Sequence, residues 1–163
     1  MEKEEFIELM MELEADLFHL ALSILRKEQD CSDAVQEAVV KAYANRHTLR
    51  NPAYFKTWIM RILINECYSL LRRQKRVVPM GEDMPDMQAD FKDYVREEYL
   101  DLYQAIDALK QKDRICVLLY YIEGYPVRQI AEILDMPEGT VKSRLRRARM
   151  QLKNKLKDEE GRS

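Results

Sequence analysis

Glycine and proline are scarce, at four and five residues in a chain of 163. So few turn-formers exclude a turn-rich β-sandwich, whose short strands need frequent punctuation. No apolar run approaches the ~20 residues that cross a bilayer. The acidic start MEKEEF lacks the basic and apolar segments of a secretory signal. The expectation is a cytoplasmic chain that is not an integral membrane protein. Cys31, Cys67 and Cys116 stand far apart, and His19 and His47 have no partner at metal-ligand spacing. So scattered a set supports neither a disulfide framework nor a zinc site. The thiols read as small core residues. No nucleophile stands beside a base, and no glycine-rich phosphate loop occurs. The sequence therefore points to no enzyme, no cofactor and no metal.

What is present is charge, and its distribution says more than the net value of −2. Residues 1–16 hold seven acids against Lys3. Arg72, Arg73, Lys75 and Arg76 follow within five positions, without an acid among them. Residues 77–98 return to acid, seven against Lys92 and Arg96. Residues 138–157 then carry eight bases against Glu138 alone. Two basic blocks parted by an acidic spacer suggest two contacts with a polyanion. The plainer alternative is that these are ordinary solvated helix faces.

Apolar spacing of three and four runs through Phe6, Leu9, Met10, Leu13, Leu17, Leu20, Ala21 and Ile24, which predicts a long amphipathic helix. Ser32 is placed to cap a second helix. In that helix Val35, Ala38, Val39 and Ala42 fall on one face, and Asp33, Gln36, Glu37 and Val40 on the other. Asn51 precedes Pro52 and is pushed out of helical geometry, so residues 47–52 read as a loop. A third helix over about 53–74 is apolar around most of its circumference. Residues 77–93, with Pro79, Gly81 and Pro85, have no sustained period and read as a linker. Helical spacing resumes from Tyr99 and ends at Gly124, a predicted C-terminal cap. Two more helices are expected over about 127–134 and 138–157. The fold class is all-α: two small helical bundles joined by a flexible acidic linker, with bundles at 1–76 and 99–163 and the linker at 77–98.

The run Ile130-Ala-Glu-Ile-Leu-Asp-Met-Pro-Glu-Gly-Thr-Val141 has the form of a helix-turn-helix. Ala131 lets two helices cross closely, and Asp135 tolerates the left-handed geometry of the turn. In the second helix Val141, Leu145, Ala148 and Leu152 make an apolar stripe. Lys142, Ser143, Arg146 and Arg147 project from the opposite side. One side anchored and one side offering forked donors is the division a major-groove helix needs.

Between residues 54 and 76, aromatic and basic side chains alternate. Tyr54, Trp58, Arg61, Asn65, Tyr68 and Arg72 share one side of a helix. Rings that stack on unpaired bases, beside cations that meet phosphates, fit melted or single-stranded DNA better than duplex. Phe55 reads as core, while Trp58 suits either core or surface.

Together the blocks Asp33-Ala-Val-Gln-Glu37, Lys41-Ala-Tyr43, Trp58-Ile-Met-Arg-Ile62, Asn65, Leu71-Arg-Arg73 and Gly139-Thr-Val-Lys-Ser-Arg-Leu-Arg-Arg-Ala-Arg149 resemble a bacterial sigma factor. The resemblance is to the small extracytoplasmic-function (ECF) group that keeps only regions 2 and 4, and it covers nearly the whole chain. It implies that Asp33, Gln36 and Glu37 dock on the β′ clamp helices of core RNA polymerase, with the β flap as a second polymerase contact. It implies −10 and single-strand DNA contacts at His47, Asn51, Tyr54, Lys56, Trp58, Arg61, Asn65, Arg72 and Arg73. Contacts with the −35 element are implied at Thr140, Lys142, Ser143, Arg146 and Arg147. An anti-sigma factor is the further implied partner. Lys110, Pro126 and Val39 depart from the residues common in the family, and Pro126 cannot cap a helix with a hydroxyl.

Promoter elements ~17 base pairs apart are separated by ~58 Å. A flexible linker of ~20 residues averages ~25 Å and reaches ~70 Å only when extended. The expected linker must therefore be held open when both bundles engage a promoter. Two other readings remain at this point. A stand-alone duplex-binding regulator needs only the C-terminal block and leaves the Asp33 face unused. A helical scaffold needs none of the basic residues for DNA.

Overall fold

A computed structural model describes residues 1–77 and 89–161, which form two compact units divided between Gly81 and Glu82. The first is a three-helix bundle. Helix α1, Lys3–Leu25, buries Phe6, Leu17, Leu20, Ala21 and Ile24 of the expected stripe, while Leu9, Met10 and Leu13 are half-buried and Leu22, Ser23 and Leu25 are buried as well. It stops at Arg26, whose left-handed backbone (φ 64°) lets its N–H donate to the Leu22 carbonyl. A non-glycine residue in that region is uncommon. The buried Arg26 side chain helps to hold the turn, its Nε donating to the Ser23 carbonyl at 2.7 Å.

Helix α2, Glu28–Ala44, starts four residues before the serine expected to cap it, so Ser32 lies inside the helix and Lys27 occupies the cap position. Lys27 is extended and offers no side-chain cap; Glu28 and Asp30 in the first turn favour the helix N-terminus instead. The buried stripe is Cys31, Ala34, Ala38 and Ala42, all small. Side chains of that size let a neighbouring helix approach closely. Helix α3, Phe55–Val77, packs there with Phe55, Ile59, Met60, Leu63, Ile64 and Cys67 buried. Lys41 pairs with the buried Glu66 across α2 and α3, and Gln74 donates to Asp30 at 2.9 Å farther along. Edge-on ring contacts from Phe6 to Phe55 and Tyr43 close the other end.

In the second unit, Ala89–Tyr94 forms helix α4, and Phe91 is buried with its ring edge-on to Tyr103, 5.1 Å between centroids. Residues 89–98 had been expected within the flexible linker. The Phe91 ring binds this part of the span to the second unit, which charge and proline content do not reveal. The linker expectation for residues 78–88 lies outside the described residues. Helices α5, Leu100–Asp107, and α6, Gln111–Val117, follow. The buried Arg114 joins them, its Nη1 donating to the carbonyls of Asp107 and Leu109 at 2.8 and 3.1 Å. Those are carbonyls that the end of α5 leaves open. From Leu118 to Ile122 the chain widens into one π-helical turn, which ends at Gly124 (φ +77°) as expected of a C-terminal cap. Helix α7, Val127–Leu134, matches its predicted bounds and begins after Pro126 without a side-chain cap. Asp135 (φ 52°) makes the turn, and helix α8, Glu138–Glu160, completes the helix-turn-helix. Ile130, Ala131 and Ile133 of α7 and Val141, Leu145 and Ala148 of α8 are buried.

All three cysteines are free and buried. Burial pushes Cys31 up to about 12 from 9.0, helped by Asp30 and Glu28. Burial also pushes Cys116 up to about 11 and raises Cys67. A thiol held protonated by the fold contributes stability below its unfolded value, and that contribution is lost as pH rises through 9.0 toward the folded value. Iodoacetamide at pH 8 should therefore leave all three thiols of the native chain unmodified and label all three in denaturant. The thermal midpoint should also fall more steeply above pH 9 in the native chain than in a variant with alanine at the three positions.

Candidate nucleic-acid interface

Packing of the α2 stripe against α3 turns the opposite side of α2 outward. Asp33, Gln36 and Glu37 are all exposed there, and beside them Val40 keeps 58% of its surface open. The three polar side chains share one face, and Asp33 accepts a long hydrogen bond from Gln29, 3.4 Å. An apolar Val40 among acceptors is a surface suited to another protein rather than to DNA.

The connection from α2 to α3 is built from two short 3-10 turns, Arg46–Thr48 and Pro52–Tyr54. Asn51 is extended before Pro52, and its side-chain oxygen accepts from Ala53 N–H at 3.0 Å. Part of its predicted role is thus local capping, while its amide N–H₂ remains a donor. His47 and Asn51 are exposed, as is Tyr54. Arg46, absent from the sequence-predicted set, stacks its guanidinium over the Tyr43 ring at 4.2 Å and donates to the Tyr43 carbonyl at 2.9 Å. The two residues are three positions apart, the spacing of neighbours on a helix, so the sequence held a local signal for the contact.

Along α3 the predicted aromatic and basic side divides. Trp58 is half-buried, tilted against Phe55 at 5.9 Å, so it serves both core and surface. Arg61 is half-buried, and Asn65, Arg72 and Arg73 are exposed. Tyr68 is buried, and its ring belongs to the core. Lys56 lies 3.8 Å from Asp16 of α1, a solvent-screened pair that holds its ammonium weakly.

On α8, Lys142, Ser143 and Arg146 are exposed and Thr140 is half-buried, opposite the buried Val141, Leu145 and Ala148. Arg149 donates to the Tyr121 hydroxyl at 3.3 Å. Arg147 departs from the expectation of a free DNA-facing cation. Its Nε and Nη2 donate to the two oxygens of Asp113 at 3.0 and 2.9 Å. These bonds, and the carboxylate charge behind them, raise the guanidinium above its ordinary range. Asp113 was missed in the sequence. Its only signal is position: it continues the Ile106, Leu109 and Cys116 spacing, so a charged side chain sits on a buried stripe. Arg146→Ala, at an exposed position, should leave stability within about 0.5 kcal/mol. Arg147→Ala, which strands the buried carboxylate, should lower the thermal midpoint clearly more, as circular dichroism would record.

Comparison with known proteins assigns both blocks. Residues 9–77 match the Sigma-70 region 2 family, and residues 99–152 match Sigma-70, region 4. The chain is 33% identical over 134 residues to RNA polymerase sigma factor SigV of Bacillus subtilis, covering 82% of this chain and 80% of that protein. It is 32% identical over 142 residues to the ECF RNA polymerase sigma-E factor of Escherichia coli K12, covering 78% and 74%. Among solved structures it resembles the sigma factor RpoE of Bartonella quintana, crystallised with the anti-sigma factor NepR. The TM-score is 0.73 at 26% identity, over 94% of this chain and 98% of that one.

Proposed function

From the premise that this chain belongs to the ECF group of sigma-70 RNA polymerase sigma factors, we propose how its surfaces divide the work of starting transcription. The chain binds core RNA polymerase and directs it to promoters, acting by binding and not by catalysis. The exposed Asp33, Gln36 and Glu37 face of α2 docks on the β′ clamp helices, and the second unit meets the β flap. His47, Asn51, Tyr54, Trp58, Arg61, Asn65, Arg72 and Arg73 receive the opened −10 strand. A half-buried Trp58 supports this role, because a ring anchored on one face can stack a base on the other. Lys56, drawn toward Asp16, contributes a weaker phosphate contact. Thr140, Lys142, Ser143, Arg146 and Arg147 face the −35 duplex in the major groove.

The observation that carries this reading is the pairing of two matched regions, in order, with opposite surface chemistries. The first unit offers aromatic and amide groups for unpaired bases; the second offers a basic helix for duplex. A duplex-binding regulator would need only the second. Each DNA contact alone is weak, and the two act together only while a larger body holds both units on one promoter. Core polymerase is that body. An anti-sigma factor, of the kind bound to the Bartonella relative, competes for these surfaces in the cytoplasm. Among the described residues no helix is long and apolar enough to cross a membrane.

Three measurements test the assignment. Purified chain should bind promoter duplex far more tightly with core polymerase than without it, and equal affinity would contradict the proposal. Arg73→Ala should keep closed-complex binding within a few-fold while lowering promoter opening, read by permanganate footprinting, by ~1.5–3 kcal/mol, the worth of one hydrogen bond to a charged group. Glu37→Lys should instead abolish association with core enzyme, and unchanged association would remove α2 from the interface.

A further inference from the structure

Asp113 belongs to α6, outside the helix-turn-helix, and only 1% of its surface is exposed. A carboxylate so far from water is unfavourable unless it is paired and hydrogen-bonded. Among the described residues its side chain is met by the Arg147 fork, which reaches both oxygens. The partner is not buried in the same way: the Arg147 side chain keeps 55% of its surface open. The pair therefore runs from the core of the second unit to the outer side of α8.

Donor accounting shows what this leaves available. A guanidinium has five N–H donors in a rigid fork. Asp113 takes Nε–H and one hydrogen of Nη2, and Nη1 makes no hydrogen bond among the described residues. An unrestrained arginine on a helix surface samples many rotamers and loses that freedom when it binds. Arg147 has been fixed beforehand, with one edge tied inward and the other free. The pairing also changes what Arg147 can contribute. With Asp113 behind it, the pair is close to neutral and adds little long-range pull on phosphates. The exposed Lys142 and Arg146 supply that pull. What Arg147 supplies is direction, and direction distinguishes one base edge from another.

A purely structural staple is the competing account, and two observations weigh against it. Val141, Leu145 and Ala148 already bury the inner side of α8, so the helix does not need an ion pair to hold it in place. A staple also has no use for an exposed arm, yet Arg147 shares the outer side of α8 with Ser143, four residues earlier.

We propose that Asp113 is a positioning residue for DNA specificity: without touching DNA, it aims the free edge of Arg147 at an acceptor on the duplex and so sets sequence preference. The proposal rests on the reading of α8 as the duplex-facing helix. It extends the interface one layer inward, to an acid on a helix that is not part of the reading motif.

The test uses the full chain assembled with core RNA polymerase, and two promoter duplexes that differ only in the segment facing α8. One carries there the sequence most enriched by the wild-type assembly from a random pool; the other carries its shuffle with the same base composition. Asp113→Asn keeps the shape and removes the charge. It should lower the ratio of the two affinities about tenfold, mainly by weakening the enriched duplex. Binding to the shuffled duplex should hold or rise, and its dependence on log salt should steepen by about one unit as the freed cation takes a phosphate. In an Arg147→Ala background the same change should leave the ratio where Arg147→Ala put it. A ratio unchanged in Asp113→Asn, or lowered equally when Arg147 is absent, overturns the proposal. Should Asp113→Asn not fold, Arg147→Lys carries the test, since lysine keeps the charge but cannot form the fork. It should lose the preference, and a preference kept would overturn the positioning role. Failure of the wild-type assembly to enrich any duplex would instead overturn the duplex-reading assignment itself, and this proposal with it.

Discussion

Two small units must each hold a rigid polar surface on a thin core, and close helix approach is what makes this possible. On α2 the buried stripe is Cys31, Ala34, Ala38 and Ala42. Larger side chains there would push α3 away and loosen the contacts of Ile59, Leu63 and Cys67. Because the inner face is made of small groups, nearly every polar residue of α2 is free to point outward, and Asp33, Gln36 and Glu37 do so. The second unit repeats the device at the crossing of α7 and α8, where Ala131 and Ala148 are buried. In both units the functional side of a helix is positioned by the smallness of the side chains behind it.

Charged residues divide between holding the fold and facing outward. Glu66 with Lys41, Arg114 with the end of α5, and Asp113 with Arg147 each place at least one charged group in the core and satisfy it there. A buried ion pair gives little net stability, but breaking one is costly, so such pairs fix geometry more than they add to folding free energy. Lys142, Arg146 and Arg73, exposed and without such constraint, remain available to phosphates. The same residue type thus has two physical roles, and sequence alone does not separate them. Arg146 and Arg147 are neighbours in the chain, yet one is free and the other is forked onto a carboxylate 34 positions earlier.

Elements with a strong apolar period were legible from the sequence. Val127–Leu134 falls where spacing places it, and α1 buries Phe6, Leu17, Leu20, Ala21 and Ile24 of the stripe that its period predicts. Boundaries governed by other forces were not. Ser32 carries a capping hydroxyl but lies inside α2, because acids in the first turn and packing of Cys31 start the helix earlier. Helix α4 forms in a polar, acidic stretch because one ring, Phe91, finds Tyr103. The π turn at 118–122 has no local signature, and it separates the exposed Tyr120 and Tyr121 from the buried Leu118 and Leu119. The outward face of α2 and the basic side of α8 could be read, since each follows from a helical period. The contact of Asp113 with Arg147 depends on tertiary placement and could not.

The charge pattern has a consequence of its own for selectivity. Specificity is a difference between affinities, and surplus positive charge raises both terms together. This chain keeps its concentrated bases on α8 and a short stretch of α3, and sets seven acids within residues 1–16, so that its net charge stays near neutral at −2. On the proposed reading, acids on the first unit oppose its own indiscriminate attachment to duplex, by a repulsion that between exposed charges fades beyond a Debye length of about 8 Å at physiological salt. The proposed reading makes the free chain a poor DNA binder at random sites. Its contacts gain strength only where geometry brings several of them to bear at once, and that condition is supplied by a partner that fixes both units against one stretch of DNA.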